Sequence, residues 1–139
     1  MRITTKGCYG LRAMIELASQ DGGHPLSMEM ISDSRNISRK YLHALMTSLR
    51  SAGLVKSIRG PGGGYTLARS PKNINIKEIL LALEGPLAPS SCSEEPSACE
   101  RSNTCPMLGL WNRINDVTEK LLEGVTLEDV AQEENQLKS

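Results

Sequence analysis

Three cysteines, Cys92, Cys99 and Cys105, stand at C-x6-C-x5-C spacing within a stretch that carries neither helical nor strand periodicity. Thiolates are soft donors that select zinc, copper(I) or iron-sulfur clusters. Structural zinc usually sits between paired Cys-x2-Cys knuckles, and none is present, whereas longer intervals in an irregular loop suit a larger object such as a cluster. Without a metal, the same residues are solvated thiols or a thiol redox switch that uses two of them, and spacing alone leaves these readings open beside the cluster. The fourth cysteine, Cys8, is expected on an apolar stripe with Leu11, Ile15 and Ala18, flanked by Met14 and Leu17, where a cysteine acts as a small hydrophobe.

A second set of residues could hold a polyanion. Over residues 37–67, Ser38 can cap a helix whose Leu42, Leu45, Met46 and Leu49 fall at i, i+3, i+4 and i+7, with Gly53 as its stop. Its other face carries Arg39, Lys40, His43 and Thr47, with Tyr41 at the edge and no acid. The stretch then reads as an antiparallel hairpin, Leu54 to Arg59 and Tyr65 to Leu67, around a Gly60-Pro61-Gly62-Gly63-Gly64 tip too loose for a two-residue turn. A helix followed by a glycine-tipped hairpin is the layout of a winged helix. The helix would enter the major groove, and the tip would approach the minor groove or backbone closely, with Arg59 supplying charge. Glycines of this kind also occur in flexible connectors and phosphate loops, but the latter require Lys-Ser or Lys-Thr where Tyr65-Thr66 stands.

The elements that must position these residues come from one small chain. Its 139 residues allow one compact domain or a small domain with an appended element. No apolar run reaches membrane-spanning length and no signal-peptide pattern opens the chain, so a cytoplasmic protein without membrane contact is expected, in which four cysteines do not form a disulfide framework. The net charge of zero conceals an asymmetry: residues 1–70 hold ten Lys and Arg against four Asp and Glu, and the remainder balances them with the opposite sign. A charge run is ordinarily a solvated face, yet a basic half that carries a winged-helix pattern matches nucleic acid.

Ahead of the recognition helix, Thr4 or Thr5 starts a first helix that ends near Asp21-Gly22-Gly23, with Arg2 and Lys6 ahead of its stripe as possible phosphate contacts. Pro25 and Ser27 introduce a second helix from Met28 to about Arg35, with Met28 and Ile31 facing inward, Asn36 at a left-handed turn and Ile37 in the core. This is helix-turn-helix spacing. After the wing, Asn75 and Glu78 form a capping box for a helix that ends at Gly85, and Pro86 and Pro89 open a long loop to Thr104. Pro106 begins a long helix whose Met107, Leu110, Trp111, Ile114, Val117, Leu121 and Leu122 make a stripe, more apolar surface than a small winged-helix core can cover, and burial against a second subunit is expected. Thr126 to Asp129 caps a short last helix, with a frayed acidic tail from Gln132. The organisation is mainly α: a winged helix-turn-helix unit over residues 1–85, a cysteine-rich loop over 86–105, and a dimerisation helix with its tail over 106–139.

Several of these stretches together resemble the Rrf-two family of bacterial regulators, and within it the IscR-type iron-sulfur members: Met1 to Gly7, Ile37-Ser38 through Tyr41-Leu42, Gly53-Leu54-Val55, the Arg59-Gly60-Pro61-Gly62-Gly63-Gly64-Tyr65 wing, the three-cysteine loop and Leu110-Trp111. The resemblance runs from Met1 to about Val130, and the wing is its most specific part. It implies a homodimer held by the long helix and binding of a double-stranded operator through paired helix-turn-helix units, with Ser38, Arg39, Lys40, Tyr41, His43, Arg59, Gly60, Pro61 and Gly62 as the DNA-binding residues. It also implies an iron-sulfur cluster, 2Fe-2S ahead of 4Fe-4S, held by Cys92, Cys99 and Cys105. Two departures bear on the cluster. The first cysteine interval is one residue longer than is usual, and Leu108 stands where IscR-like proteins carry a histidine. The nitric-oxide-sensing branch places a ligand near Cys8, donated by the other subunit, so the fourth ligand is open among Cys8, His24, His43, Glu94, Glu95 and Glu100.

These readings converge on a dimeric transcription regulator, read as a repressor, whose DNA binding responds to an iron-sulfur cluster. The alternative within the class is a thiol-redox or zinc-responsive repressor without a cluster. From another class, a small iron-sulfur electron carrier would need only the cysteine loop and leaves the recognition helix, wing and basic half without use. Neither histidine sits in a triad or metal motif, and no enzymatic activity is expected.

Overall fold

The computed structural model describes residues 2–20, 23–88 and 103–138. Its elements run α1 (Thr5–Ala18), α2 (Met28–Arg35), α3 (Arg39–Ser51), β1 (Val55–Ile58), β2 (Gly64–Leu67), a 3-10 turn (Pro71–Asn73), α4 (Ile76–Glu84), α5 (Pro106–Glu123) and α6 (Leu127–Lys138). The fold is a mainly helical winged helix with one two-stranded antiparallel sheet, in which Val55 pairs with Leu67 and Ile58 with Gly64.

Short-range chemistry sets most of the boundaries. The side chains of Thr4, Ser27, Ser38 and Asn75 each accept a hydrogen bond from a backbone N–H of the turn they open, satisfying donors that have no partner inside the helix. Asn75 and Glu78 form the full reciprocal box, and Thr126 and Asp129 repeat it at α6. Asn36 takes the left-handed conformation, φ 54°, that turns the chain from α2 into α3. The Ser32 hydroxyl donates to the Ile37 carbonyl and locks that corner.

The core gathers Met14 and Leu17 of α1, Ile31 of α2, Leu42, Leu45, Met46 and Leu49 of α3, Leu54, Ile74, and Ile79, Leu80 and Leu83 of α4. Each fully buried side chain of this size stabilises the fold by about 1.5–3 kcal/mol. Leu127 and Ala131 of α6 belong to the same cluster, so the chain returns after α5 to the core built by α1–α4.

Two expectations need correction. Cys8 does not lie on the buried stripe of α1; it is exposed. The rest of the expected stripe holds, with Met14, Ile15 and Leu17 buried and Leu11 and Ala18 half-buried against the core, but toward the start of the helix the buried face runs through Gly7 and Gly10, which give no hydropathy signal, and leaves Cys8 outside. A Cβ at Gly10 would collide with Leu83, so the glycine lets α4 come close to α1. Nor is the tail frayed from Gln132: α6 stays helical to Lys138, held by the buried Ala131 and by ion pairing at Glu134.

Candidate nucleic-acid interface and cysteine site

α3 buries Leu42, Leu45, Met46 and Leu49 and leaves Arg39, Lys40, His43, Thr47 and Arg50 exposed, so its polar face is turned outward as a stripe. Ser38 is spent on its cap, accepting from the Tyr41 N–H at 3.2 Å. The Arg39 guanidinium pairs with Glu29 at 3.1 Å, with both side chains well exposed. Such a pair is worth at most about 1 kcal/mol, so a phosphate can displace the carboxylate. Tyr41 is only half exposed: its hydroxyl shares a 3.1 Å hydrogen bond with Thr5, and its ring stands edge-on to Tyr9 at 5.8 Å.

At the wing tip, Arg59, Gly60, Pro61 and Gly62 are all exposed. The tip is not slack. The Gly63 N–H donates to the Gly60 carbonyl at 2.9 Å, with Pro61 and a left-handed Gly62 (φ 75°) between them, the pattern of a type II turn. The strands are also clamped from outside, because Leu26 and Tyr65 exchange both backbone hydrogen bonds, at 2.8 and 3.0 Å. Gly64 makes this possible: a Cβ there would fall on the Leu26 carbonyl. The wing is thus fixed to the segment that joins α1 to α2.

A carboxylate that the sequence reading passed over holds the start of α1. Glu84 accepts from the Thr4 hydroxyl and N–H and from the Gly7 N–H at 2.7 Å. Burial pushes its pKa up, but these bonds and nearby Lys6 outweigh that and leave it lowered. The signal was its position: an acid in the last turn of α4 opposes the helix dipole and needs another partner. Arg35, a second omission, donates to Glu16 at 2.6 Å and to Glu134 at 2.8 and 2.9 Å, tying α1, α2 and α6 together.

Of the cysteine site, Cys92 and Cys99 lie outside the described residues, as do Glu94, Glu95 and Glu100. Cys105 is half-buried and is the residue from which α5 starts, ahead of Pro106. Its position makes the loop continuous with the long helix. Cys8 is exposed on α1, and His24 and His43 are exposed at separate places, on the α1–α2 connection and on α3. Among the described residues no three His, Cys, Asp or Glu side chains form a group that could hold a metal ion.

α5 carries the apolar surface that the sequence leads one to expect, and among the described residues much of it is exposed. Met107, Leu110, Ile114, Val117 and Leu121 are all exposed, at alternating intervals of three and four residues, the spacing of a coiled-coil seam. Trp111 is half-buried beside them, and Leu122 packs on the core. Lys77 anchors the helix to α4 through Glu123 at 2.7 Å and Glu119 at 3.6 Å. Among the described residues no helix is long and apolar enough to cross a membrane.

Comparison with known proteins places this arrangement. The family model Rrf2, described as iron-dependent transcriptional regulator, matches residues 3–133. The chain is similar to the HTH-type transcriptional regulator CymR of Bacillus subtilis, 44% identical over 131 residues covering 94% of this chain and 90% of that protein. It is also similar to the HTH-type transcriptional regulator IscR of Escherichia coli O1:K1 / APEC, 34% identical over 127 residues, 91% of this chain and 78% of that one. The solved structure of CymR (YrzC), described as the global cysteine regulator of B. subtilis, superposes with a TM-score of 0.77 at 43% identity, covering 95% of this chain and 97% of that chain. That of T. potens IscR gives 0.79 at 33% identity, covering 100% and 92%.

Proposed function

Because the chain belongs to the Rrf2 family of DNA-binding transcriptional regulators, we propose that it works as a homodimer whose operator affinity is set by an iron-sulfur cluster on Cys92, Cys99 and Cys105. α3, through Arg39, Lys40, Tyr41 and His43 behind the Ser38 cap, reads the major groove. The wing tip, Arg59 to Gly62, reaches the neighbouring minor groove or backbone. The seam of α5 faces its counterpart in the second subunit.

The observation that carries the regulatory part is the place of Cys105. It is the first residue of the turn that starts α5, so whatever orders the cysteine loop acts directly on the helix that sets the two recognition helices apart. The donor set suits the group: three thiolates are soft ligands, and the exposed Cys8 is available as a fourth on another element. A cluster would supply reversible, redox-sensitive ordering of that loop. The chain's own residues do the rest: Arg39, Lys40 and Arg59 neutralise phosphate, and His43 presents a donor or acceptor to a base edge. The family's description as iron-dependent supports this reading.

A second reading is favoured by one specific finding, the 44% identity to CymR, whose solved structure is described as that of a global cysteine regulator. In it the same cysteines act as a thiol switch or zinc site without a cluster.

The two readings separate on the absorbance spectrum of anaerobically purified protein, with iron, sulfide and zinc assayed and binding measured to DNA selected from a random pool. Visible absorbance with matched iron and sulfide, lost together with a change in DNA affinity on exposure to oxygen, is the expected result. Colourless protein whose DNA affinity responds to thiol oxidants or zinc establishes the second reading instead.

A further inference from the structure

Thr5, Tyr9 and Arg12 fall at i, i+4 and i+7 on α1, and the first two meet Tyr41 of α3 at the edge of the core. Thr5 shares its hydrogen bond with the Tyr41 hydroxyl at 3.1 Å, Tyr9 meets the Tyr41 ring edge-on, and Arg12 stands 5.2 Å over the Tyr9 ring. The first turn of α1 is therefore bolted beside the first turn of the recognition helix. Around this joint, Arg2, Lys6 and Arg12 are exposed, and Lys40 is exposed on the α3 side. Neither first turn contains an acid. The nearby carboxylate Glu84 is half-buried and taken up by Thr4 and Gly7.

We infer that α1 is a second DNA-contacting helix, whose Arg2, Thr5 and Lys6 bind the sugar-phosphate backbone on the flank of the major groove that α3 enters, with the Thr5–Tyr41 hydroxyl pair fixing the register between the two contacts. This rests on the DNA-binding reading of α3 above and extends it to a surface outside the helix-turn-helix. A helix lying in a major groove about 12 Å wide has a phosphate ridge along each flank, and the element packed on that flank meets the ridge. The surface has the required chemistry: exposed cations for charge and hydroxyls that can donate to phosphate oxygens. It also reassigns Tyr41. With its hydroxyl turned to Thr5, it positions the backbone contact and reads no base.

Phosphate contacts do not depend on sequence, so the test needs no operator. Binding of the full-length protein to a mixed-sequence duplex of about 30 base pairs is measured by fluorescence anisotropy over a salt series, with melting temperatures taken in parallel. The Arg2→Ala/Lys6→Ala double variant is expected to melt like wild type and to bind with a salt slope shallower by about 0.9 for each phosphate contact removed. Thr5→Val is expected to bind about three- to tenfold more weakly with the slope unchanged, as for one lost hydrogen bond. The Tyr41→Phe/Thr5→Val pair should cost little more than either alone, because both remove one joint. A double variant with the wild-type slope and affinity overturns the inference, provided that Arg39→Ala/Lys40→Ala weakens binding to the same duplex. Should wild type itself show no salt-dependent binding, the DNA-binding role of α3 falls and the inference with it.

Discussion

Arg35, the last residue of α2, meets Glu134 near the end of α6 through two hydrogen bonds of 2.8 and 2.9 Å, although ninety-nine residues separate them in sequence. The Arg35 side chain is 10% exposed, and its Nε is held by Glu16 at 2.6 Å. One largely buried cation thus joins the last turns of α6 to the residue just before the Asn36 turn that aims α3. Bidentate charge-assisted bonds of this kind are the strong ones, and removing one partner leaves a buried charge short of compensation.

That contact makes stability depend on pH in a defined direction. Hydrogen bonding from Arg35 outweighs burial and holds the Glu134 carboxyl down from the usual 4.5 to about 2. A carboxyl with a depressed folded pKa contributes stability that is complete above its unfolded value and is lost as pH falls toward its folded value. Glu134→Gln should therefore melt lower than wild type at neutral pH, by roughly 1–3 kcal/mol of stability since Glu16 remains on Arg35. The gap should close between about pH 4.5 and 2. Thermal melts of both proteins across that range check it, and a gap that is constant with pH would show that the pairing does not stabilise the fold.

The wing gives a second prediction, because its glycines have different jobs. Gly62 faces open space at φ 75°, so Ala there costs only the strain of a left-handed residue, about 1 kcal/mol. A Cβ at Gly64 meets the Leu26 backbone, so Gly64→Ala must push β2 off the α1–α2 connection and break the paired bonds between Leu26 and Tyr65. Amide exchange at Leu26 and Tyr65 should speed up in Gly64→Ala and stay unchanged in Gly62→Ala. Equal protection in both variants would mean that the wing is not held by this bridge.

What was legible in the sequence was local. Ser38, Ser27 and Asn75 cap the helices they were expected to cap, and Leu42, Leu45, Met46 and Leu49 are buried as their spacing requires, because caps and helical periodicity depend on residues a few positions apart. The misses involve partners brought together by tertiary packing. Glu84 reaches Thr4 across eighty residues, Leu26 pairs with Tyr65 without belonging to a strand pattern, and nothing near Gln132 announces the Arg35 contact that keeps α6 helical. The Cys8 error has a different origin: a face built on Gly7 and Gly10 is invisible to a hydropathy count.

The α5 seam predicts a separable interface. Ile114 is exposed at the middle of the Met107, Leu110, Ile114, Val117, Leu121 row and lies outside the core cluster of the described residues. Ile114→Asp should therefore give a folded monomer at micromolar concentration, since a carboxylate in an apolar dimer seam costs far more than one in water. Light scattering and circular dichroism together decide the point. A stable dimer carrying Asp at this position would place the subunit contact elsewhere.

Because Cys8 is exposed, it becomes the clean contrast for the cluster. As a mere surface residue, Cys8→Ala should leave the unfolding free energy within about 0.5 kcal/mol of wild type and the visible spectrum intact. As a fourth ligand it should behave like Cys92, Cys99 and Cys105, each of whose Ala variants is expected to be nearly colourless because two remaining loop thiolates leave iron open to water and oxygen. Loss of colour in Cys8→Ala without loss of stability can then come only from ligation, since no packing is removed. Apart from spectra, iron and sulfide counts on the four single variants are the check. If the three loop variants keep wild-type iron and absorbance, the cluster reading fails whatever Cys8 does, and the thiol-switch or zinc reading is what remains for this loop.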